Sequence, residues 1–120
     1  MTVLIVEDEK LFSWSLTRSL SKWGFYVQSV FTGSDAVAQV ENSGFDAVLL
    51  DYQLPDLDGL SVARQVRKMR PNAVIILVTA FQLSELTLDD GLIDEYFNKP
   101  LDLHELHQAL NRIPKVRHGA

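Results

Sequence analysis

Five polar residues follow short runs that read as strands: Glu7 and Asp8 after the apolar residues 3–6, Asp51 after 47–50, Thr79 after 73–78, and Lys99 after the weaker, mixed run 95–98. Three carboxylates gathered in one place repel one another, and each pKa rises unless a cation compensates. Mg²⁺ (or Mn²⁺) suits such a cluster, because it takes one or two protein carboxylates, several waters and phosphate oxygens. Lys99 adds a fixed positive charge and Thr79 a hydroxyl. Together these groups suit a phosphoryl group on an oxygen nucleophile, with one carboxylate attacking while metal and ammonium offset the charge that develops. Taken singly, each residue reads equally well as a strand terminus or a helix cap. Five of them at the ends of four strands carry more weight.

The elements that must position them follow from hydrophobic periodicity. Residues 3–6 form a continuous β-branched and apolar run, read as a strand buried on both faces. Phe12, Leu16, Leu20 and Trp23 recur at helical spacing, and Gly24 stands where a C-terminal cap belongs. Residues 25–30 read as a second strand. A helix carrying Ala36, Val37 and Val40 follows, with Ser34 or Asp35 available to cap it. Residues 47–50 form a third strand ending on Asp51, and 54–59 a loop. A helix with Leu60, Ala63 and Val66 then runs to Pro71. Residues 73–78 are a fourth strand, 84–90 a short and poorly patterned helix, and 95–98 a weak fifth strand. Leu103, Leu106 and Leu110 mark a last helix that Pro114 stops. Alternating strand and helix specifies an α/β domain with a mostly parallel sheet. In such sheets ligands bind outside the carboxyl ends of the strands, where the strand order reverses.

The chain has 120 residues, 47% hydrophobic, with 11 Lys+Arg against 16 Asp+Glu for a net charge of −5. That length fits one domain, assigned to residues 1–113, with 114–120 a short basic tail or the start of a linker. The acidic balance argues against direct nucleic-acid binding. With no cysteine, disulfides, thiolate metal sites and a cysteine nucleophile are excluded. No apolar run is long enough for a bilayer and the N-terminus lacks a signal-peptide pattern, so a cytoplasmic location is expected, with no membrane partner.

The matching pieces now line up: Glu7-Asp8; Asp51 followed by Leu54-Pro55-Asp56-Leu57-Asp58-Gly59; Thr79-Ala80; and Lys99-Pro100 preceded by Tyr96. In this order the chain resembles the receiver domains of two-component response regulators, from Val3 to about Ile113. The resemblance implies a flavodoxin-like, doubly wound (βα)5 fold with a five-stranded parallel sheet in the order 2-1-3-4-5. It implies that Asp51 is the phosphorylated residue, taking its phosphoryl group from a sensor histidine kinase or phosphotransfer protein in a phosphorelay. Mg²⁺ would be held by Asp8, Asp51 and the Gln53 backbone carbonyl. Glu7 stands where the family more often has Asp, and would reach the metal through water. Thr79 and Lys99 would contact the phosphoryl oxygens. Ala80 is small and leaves the acyl phosphate accessible, while Gln53 and Phe81 stand near its entrance. Tyr96 is the switch aromatic of the output face. An output domain or downstream partner, and a homodimer formed on phosphorylation, are the further partners such a domain admits.

The stretch between Thr79 and Lys99 is shorter than the family's usual pattern, and 84–92 lacks a clean apolar stripe. A harmless shortening and an altered output surface both remain open. Trp14 lies on the opposite side of its helix from Phe12, Leu16 and Leu20. It is read either as a partner contact or as a ring lying across its own helix. Trp23 falls on the apolar stripe and is expected in the core, while His104 and His107 are expected to be solvated rather than metal-bound. Three other readings compete with the switch. A phosphotransferase or phosphatase commonly needs an acid-base carboxylate where Gln53 stands. A degenerate receiver is opposed by Asp51, Thr79 and Lys99 all being present. A flavin carrier would set its phosphate against Glu7 and Asp8. The domain is therefore read as a phosphoacceptor that assists its own phosphorylation and dephosphorylation, and not as an enzyme.

Overall fold

The computed structural model describes residues 1–81 and 91–113. Five strands are present: β1 (Thr2–Val6), β2 (Tyr26–Val30), β3 (Ala47–Asp51), β4 (Val74–Thr79) and β5 (Glu95–Asn98). Four helices are described: α1 (Lys10–Lys22), α2 (Gly33–Asn42), α3 (Gly59–Met69) and α4 (Leu103–Asn111). The strands form one sheet in the order β2-β1-β3-β4-β5, parallel at every pairing. The helix expected within 84–90, the stop at Pro114 and the basic tail lie outside the described residues.

Both faces of the sheet are covered, which explains why the inner strands are apolar throughout rather than alternating. Side chains still alternate in direction. Val3, Ile5, Ala47, Leu49, Val74, Ile76 and Val78 pack with Leu16 and Leu20 of α1 and Leu106 and Leu110 of α4. On the other face, Leu4, Val6, Val48, Leu50, Ile75 and Leu77 pack with Ala36 and Val40 of α2 and Val62, Ala63 and Val66 of α3. Phe45 joins this second layer, as its apolar character requires.

Caps set where each helix starts and stops. Glu9 accepts from the Leu11 and Phe12 N–H groups at the head of α1. At its other end Gly24 takes φ +95°. The Gly24 N–H donates to Ser21 O and the Phe25 N–H to Leu20 O, both at 3.1 Å, which is the Schellman closure that favours glycine. The cap of α2 is Thr32, not Ser34 or Asp35: its side chain accepts from the Asp35 N–H. The turn begins earlier than apolar spacing suggests because Gly33 already belongs to it.

Trp23 packs at the edge of the core as its place on the stripe predicts, half-buried against the layer of Leu16, Leu20 and Leu106, and its ring stacks on His107 of α4 at 4.0 Å between centroids and 2° between planes. His107 is thus a packing partner, while His104 is exposed as expected. Sequence spacing within one helix carries no information about which residue of a distant helix will lie opposite.

Candidate functional site

The order β2-β1-β3 puts the carboxyl ends of β1 and β3 side by side, and β4 and β5 continue the same rim. Asp51 ends β3, Thr79 ends β4, and Glu7 and Asp8 follow β1 directly. Lys99 follows β5, its N–H donating to Thr79 O at 2.8 Å.

Lys99 draws the rim together. Its Nζ donates to Glu7 Oε1 at 2.9 Å and to Asp51 Oδ2 at 3.2 Å. The ammonium also stands 5.1 Å from the centroid of the Phe12 ring, a cation–π distance. Burial works against its charge, but the bond to Glu7 and the charges of Asp51 and Glu7 outweigh that, so its pKa is raised. Glu7 is buried at 3% exposure, and its second oxygen, Oε2, accepts the Glu9 N–H at 2.9 Å. Burial pushes the Glu7 carboxyl above the usual carboxylate range, opposed by its bonds to the Glu9 N–H and Lys99. The longer side chain of Glu7 therefore finds its partners at the lysine and the first turn of α1.

Asp8 is exposed, whereas Asp51 is only 7% exposed. Glu7, Asp8 and Asp51 each present a carboxylate oxygen, and these atoms lie within 4.8 Å of one another. Lys99 pairs with two of these three carboxylates, which leaves an excess of negative charge, and an all-oxygen donor set fits Mg²⁺ or Mn²⁺. Asp51 Oδ1 accepts the Gln53 N–H at 3.2 Å, which orients the carboxylate at the start of the loop to α3. Gln53 bridges to Asp58, and the hydrogen bond of that bridge is made by its neighbours, Gly59 N–H to Tyr52 O at 2.6 Å.

Glycine is required at that return. A Cβ on Gly59 would lie 2.6 Å from Asp51 O and 2.7 Å from Tyr52 Cα, both backbone atoms. Asp56 anchors the same loop from its other side. Its carboxylate accepts from the Gly33 N–H (2.7 Å), the Ser34 N–H (2.9 Å) and Ser34 Oγ (2.7 Å) at the head of α2. Those bonds, with Ser34 the largest influence, lower its pKa to about 2.

Thr79 is fully buried, and its Oγ1 accepts the Phe81 N–H at 3.0 Å. Phe81 meets Tyr52 edge to face, 5.6 Å between centroids, beside an exposed Ala80. Tyr96 is half-buried against the layer containing α2 and α3. Trp14 does not join the rim: it is 59% exposed on α1, with the Arg18 guanidinium 4.8 Å from its ring. Arg18, one turn further along α1, covers part of the ring, and most of it faces solvent. Wider depressions of about 420 and 640 Å³ open elsewhere, the first bordered by Phe45 and Arg70 and the second by Trp23 and Leu110. None of the five rim residues lines either of them. Glu7 and Asp51 border a much smaller depression of about 10 Å³, together with Phe12 and Leu16.

Several contributors escaped the sequence reading. Glu9 and Phe12 had no signal beyond a cap position and an apolar stripe. Asp56 had one, an Asp following Pro in a loop, which marks a turn but not its partner. Asn98, whose side-chain amide reaches Phe81 O at 2.6 Å, had none.

Comparison with known proteins agrees with this geometry. The family model described as response regulator receiver domain matches residues 3–111. The transcriptional regulatory protein TcrA of Mycobacterium tuberculosis is 35% identical over 115 residues, which cover 94% of this chain and 46% of TcrA. The chain thus spans about half the length of that relative. The response regulator TrrA of Thermotoga maritima, solved in complex with Mg²⁺-BeF, superposes with a TM-score of 0.86 at 29% identity, covering 94% of this chain and 98% of that one. The receiver domain of sensor histidine kinase PA1611 from Pseudomonas aeruginosa, with a magnesium ion in its active-site cleft, gives 0.84 at 33% identity over 93% and 95%. With its 2-1-3-4-5 sheet and its acidic rim closed by a lysine, the chain belongs to the response regulator receiver domain family of two-component signalling.

Proposed function

We propose that this domain is a phosphorylation-controlled switch with Asp51 as its phosphoacceptor. The observation that carries the reading is the bridge from Lys99 Nζ to both Glu7 and Asp51, 2.9 and 3.2 Å, beside the exposed carboxylate of Asp8. The donor is a phosphohistidine on a sensor histidine kinase or phosphotransfer protein. An Asp51 oxygen bonds to phosphorus as the phosphorus–nitrogen bond of the donor breaks, and the electron pair stays with the imidazole. Asp8, Asp51 and the Gln53 carbonyl would hold Mg²⁺, with Glu7 behind them through water. The ion supplies positive charge for the transferring phosphoryl oxygens.

Lys99 neutralises the acceptor before transfer and pairs with a phosphoryl oxygen after it. Thr79 donates its hydroxyl to another. Phosphorylation adds about −1.5 to −2 charge and three acceptor oxygens, which draws Thr79 and Lys99 inward and the turns that carry them. Tyr96, on β5 between those turns, transmits the change to the partner-binding face. Ala80 leaves the acyl phosphate open to water, with Gln53 and Phe81 at the entrance setting its lifetime. Self-dephosphorylation is the extent of the chemistry.

Trp14 is assigned to the contact with the phosphodonor, since exposed aromatics anchor interfaces. A cytoplasmic location fits this partner, and no described helix is long and apolar enough to cross a membrane. The test is Asp51→Asn treated with a small phosphodonor and Mg²⁺. Intact-protein mass spectrometry is expected to show a phosphoryl adduct on the wild type and none on the variant; a stable adduct on the variant would sink the assignment.

A further inference from the structure

Thr79 and Asn98 close their strands as register partners. The backbone ladder ends there with the Lys99 N–H on Thr79 O, and Asn98 adds a side-chain rung beyond it. Its Nδ2 donates to Phe81 O at 2.6 Å and to Thr79 O at 3.3 Å. Two facing carbonyls demand the donor end of the amide, so its orientation is determined by its partners.

Between those carbonyls lies the Phe81 N–H, which donates to Thr79 Oγ1 at 3.0 Å. One amide therefore ties down both sides of the peptide that holds the hydroxyl. On its far side the turn is held by the edge contact of Phe81 with Tyr52, the residue after Asp51. Since Thr79 Oγ1 already accepts from Phe81, its own proton is directed away from that N–H and is available to an anion at the rim. Asn98 itself is exposed, so replacing it removes this tether without opening the core.

We infer that Asn98 is a positioning residue for Thr79, holding the turn through residues 79–81 so that the threonine hydroxyl donates to a phosphoryl group on Asp51. This rests on the phosphoacceptor reading above. Loss of the tether is expected to weaken binding of the phosphoryl mimic rather than to unfold the domain, by the worth of one net hydrogen bond, ~3–10-fold in affinity.

The experiment is a double-mutant cycle. Affinity for beryllofluoride with Mg²⁺ is measured calorimetrically for wild type, Asn98→Leu, Thr79→Ala and the double variant. Asn98→Leu is expected to lose ~3–10-fold beside Thr79 and nothing further beside Ala at that position. Asn98→Asp keeps the size but faces both carbonyls with acceptors, and is expected to lose affinity in the same direction. In the unliganded protein, amide exchange at Phe81 is expected to accelerate in Asn98→Leu. Unchanged affinity or exchange in Asn98→Leu, or an equal loss in both backgrounds, overturns the inference while leaving the phosphoacceptor reading standing. A wild type that binds no beryllofluoride overturns both.

Discussion

Lys99 and Glu7, 92 residues apart in sequence, are joined by a 2.9 Å hydrogen bond from ammonium to a carboxylate that is almost fully enclosed. Because its neighbours raise the Lys99 pKa, this cation stabilises the folded state fully below the unfolded lysine value of 10.5. The contribution is lost as pH rises through the higher folded value. In the metal-free protein, Tm is expected to fall above pH ~10.5, and Lys99→Met should flatten that part of the profile. Parallel alkaline profiles for the two proteins would contradict the linkage.

Asp56 reports on the opposite end of the scale. Its folded pKa of about 2 lies below the ordinary aspartate value of 3.8, so its stabilisation is present above the unfolded value and is lost as pH falls through the folded one. Asp56→Ala should lower Tm at pH 7 and show a smaller further loss between pH 4 and pH 2 than the wild type. Thermal melts by circular dichroism across that range provide the check.

Gly59 touches backbone, which cannot swing aside as a flexible side chain can. Gly59→Ala should cost ~1–3 kcal/mol through overpacking against Asp51 O and Tyr52 Cα. The variant should unfold at lower urea with an unchanged m-value. Retention of the wild-type midpoint would mean that α3 retreats freely.

Mg²⁺ should stabilise the domain by mass action if the three carboxylates hold it. Tm should rise with Mg²⁺ in the wild type and not in Asp8→Asn, since Asp8 is the exposed carboxylate of the cluster and the one that Lys99 does not engage. An equal rise in both would remove Asp8 from the ligand set.

Trp14→Ala leaves the rim and the core in place, because the ring is mostly exposed and stands beside the exposed Arg18 guanidinium. Transfer from a cognate phosphohistidine donor should slow, while phosphorylation by a small-molecule phosphodonor stays at the wild-type rate. Unchanged transfer from the protein donor would remove Trp14 from the docking contact.

What the sequence determined alone was local and periodic. The apolar runs named the strands, the stripe of Leu16 and Leu20 named the inner face of α1, and Gly24 marked its end. The same reading placed Glu7, Asp51 and Thr79 at strand ends, because runs buried on both faces stop sharply at their first polar residue, with Asp8 next to Glu7 and Lys99 after the weaker, half-buried β5. Partner choice was another matter. That Glu7 bonds Lys99, that Asp56 accepts from the head of α2 across the loop, that Trp23 lies on His107, and that Asn98 holds the turn beyond Thr79 are contacts between segments distant in sequence. Each depends on the separation and tilt of packed elements, which side-chain periodicity within one element does not encode. Tertiary structure decided them, because a hydrogen bond or a ring stack needs its partner within a few tenths of an ångström, and only the assembled sheet and helices set distances that finely.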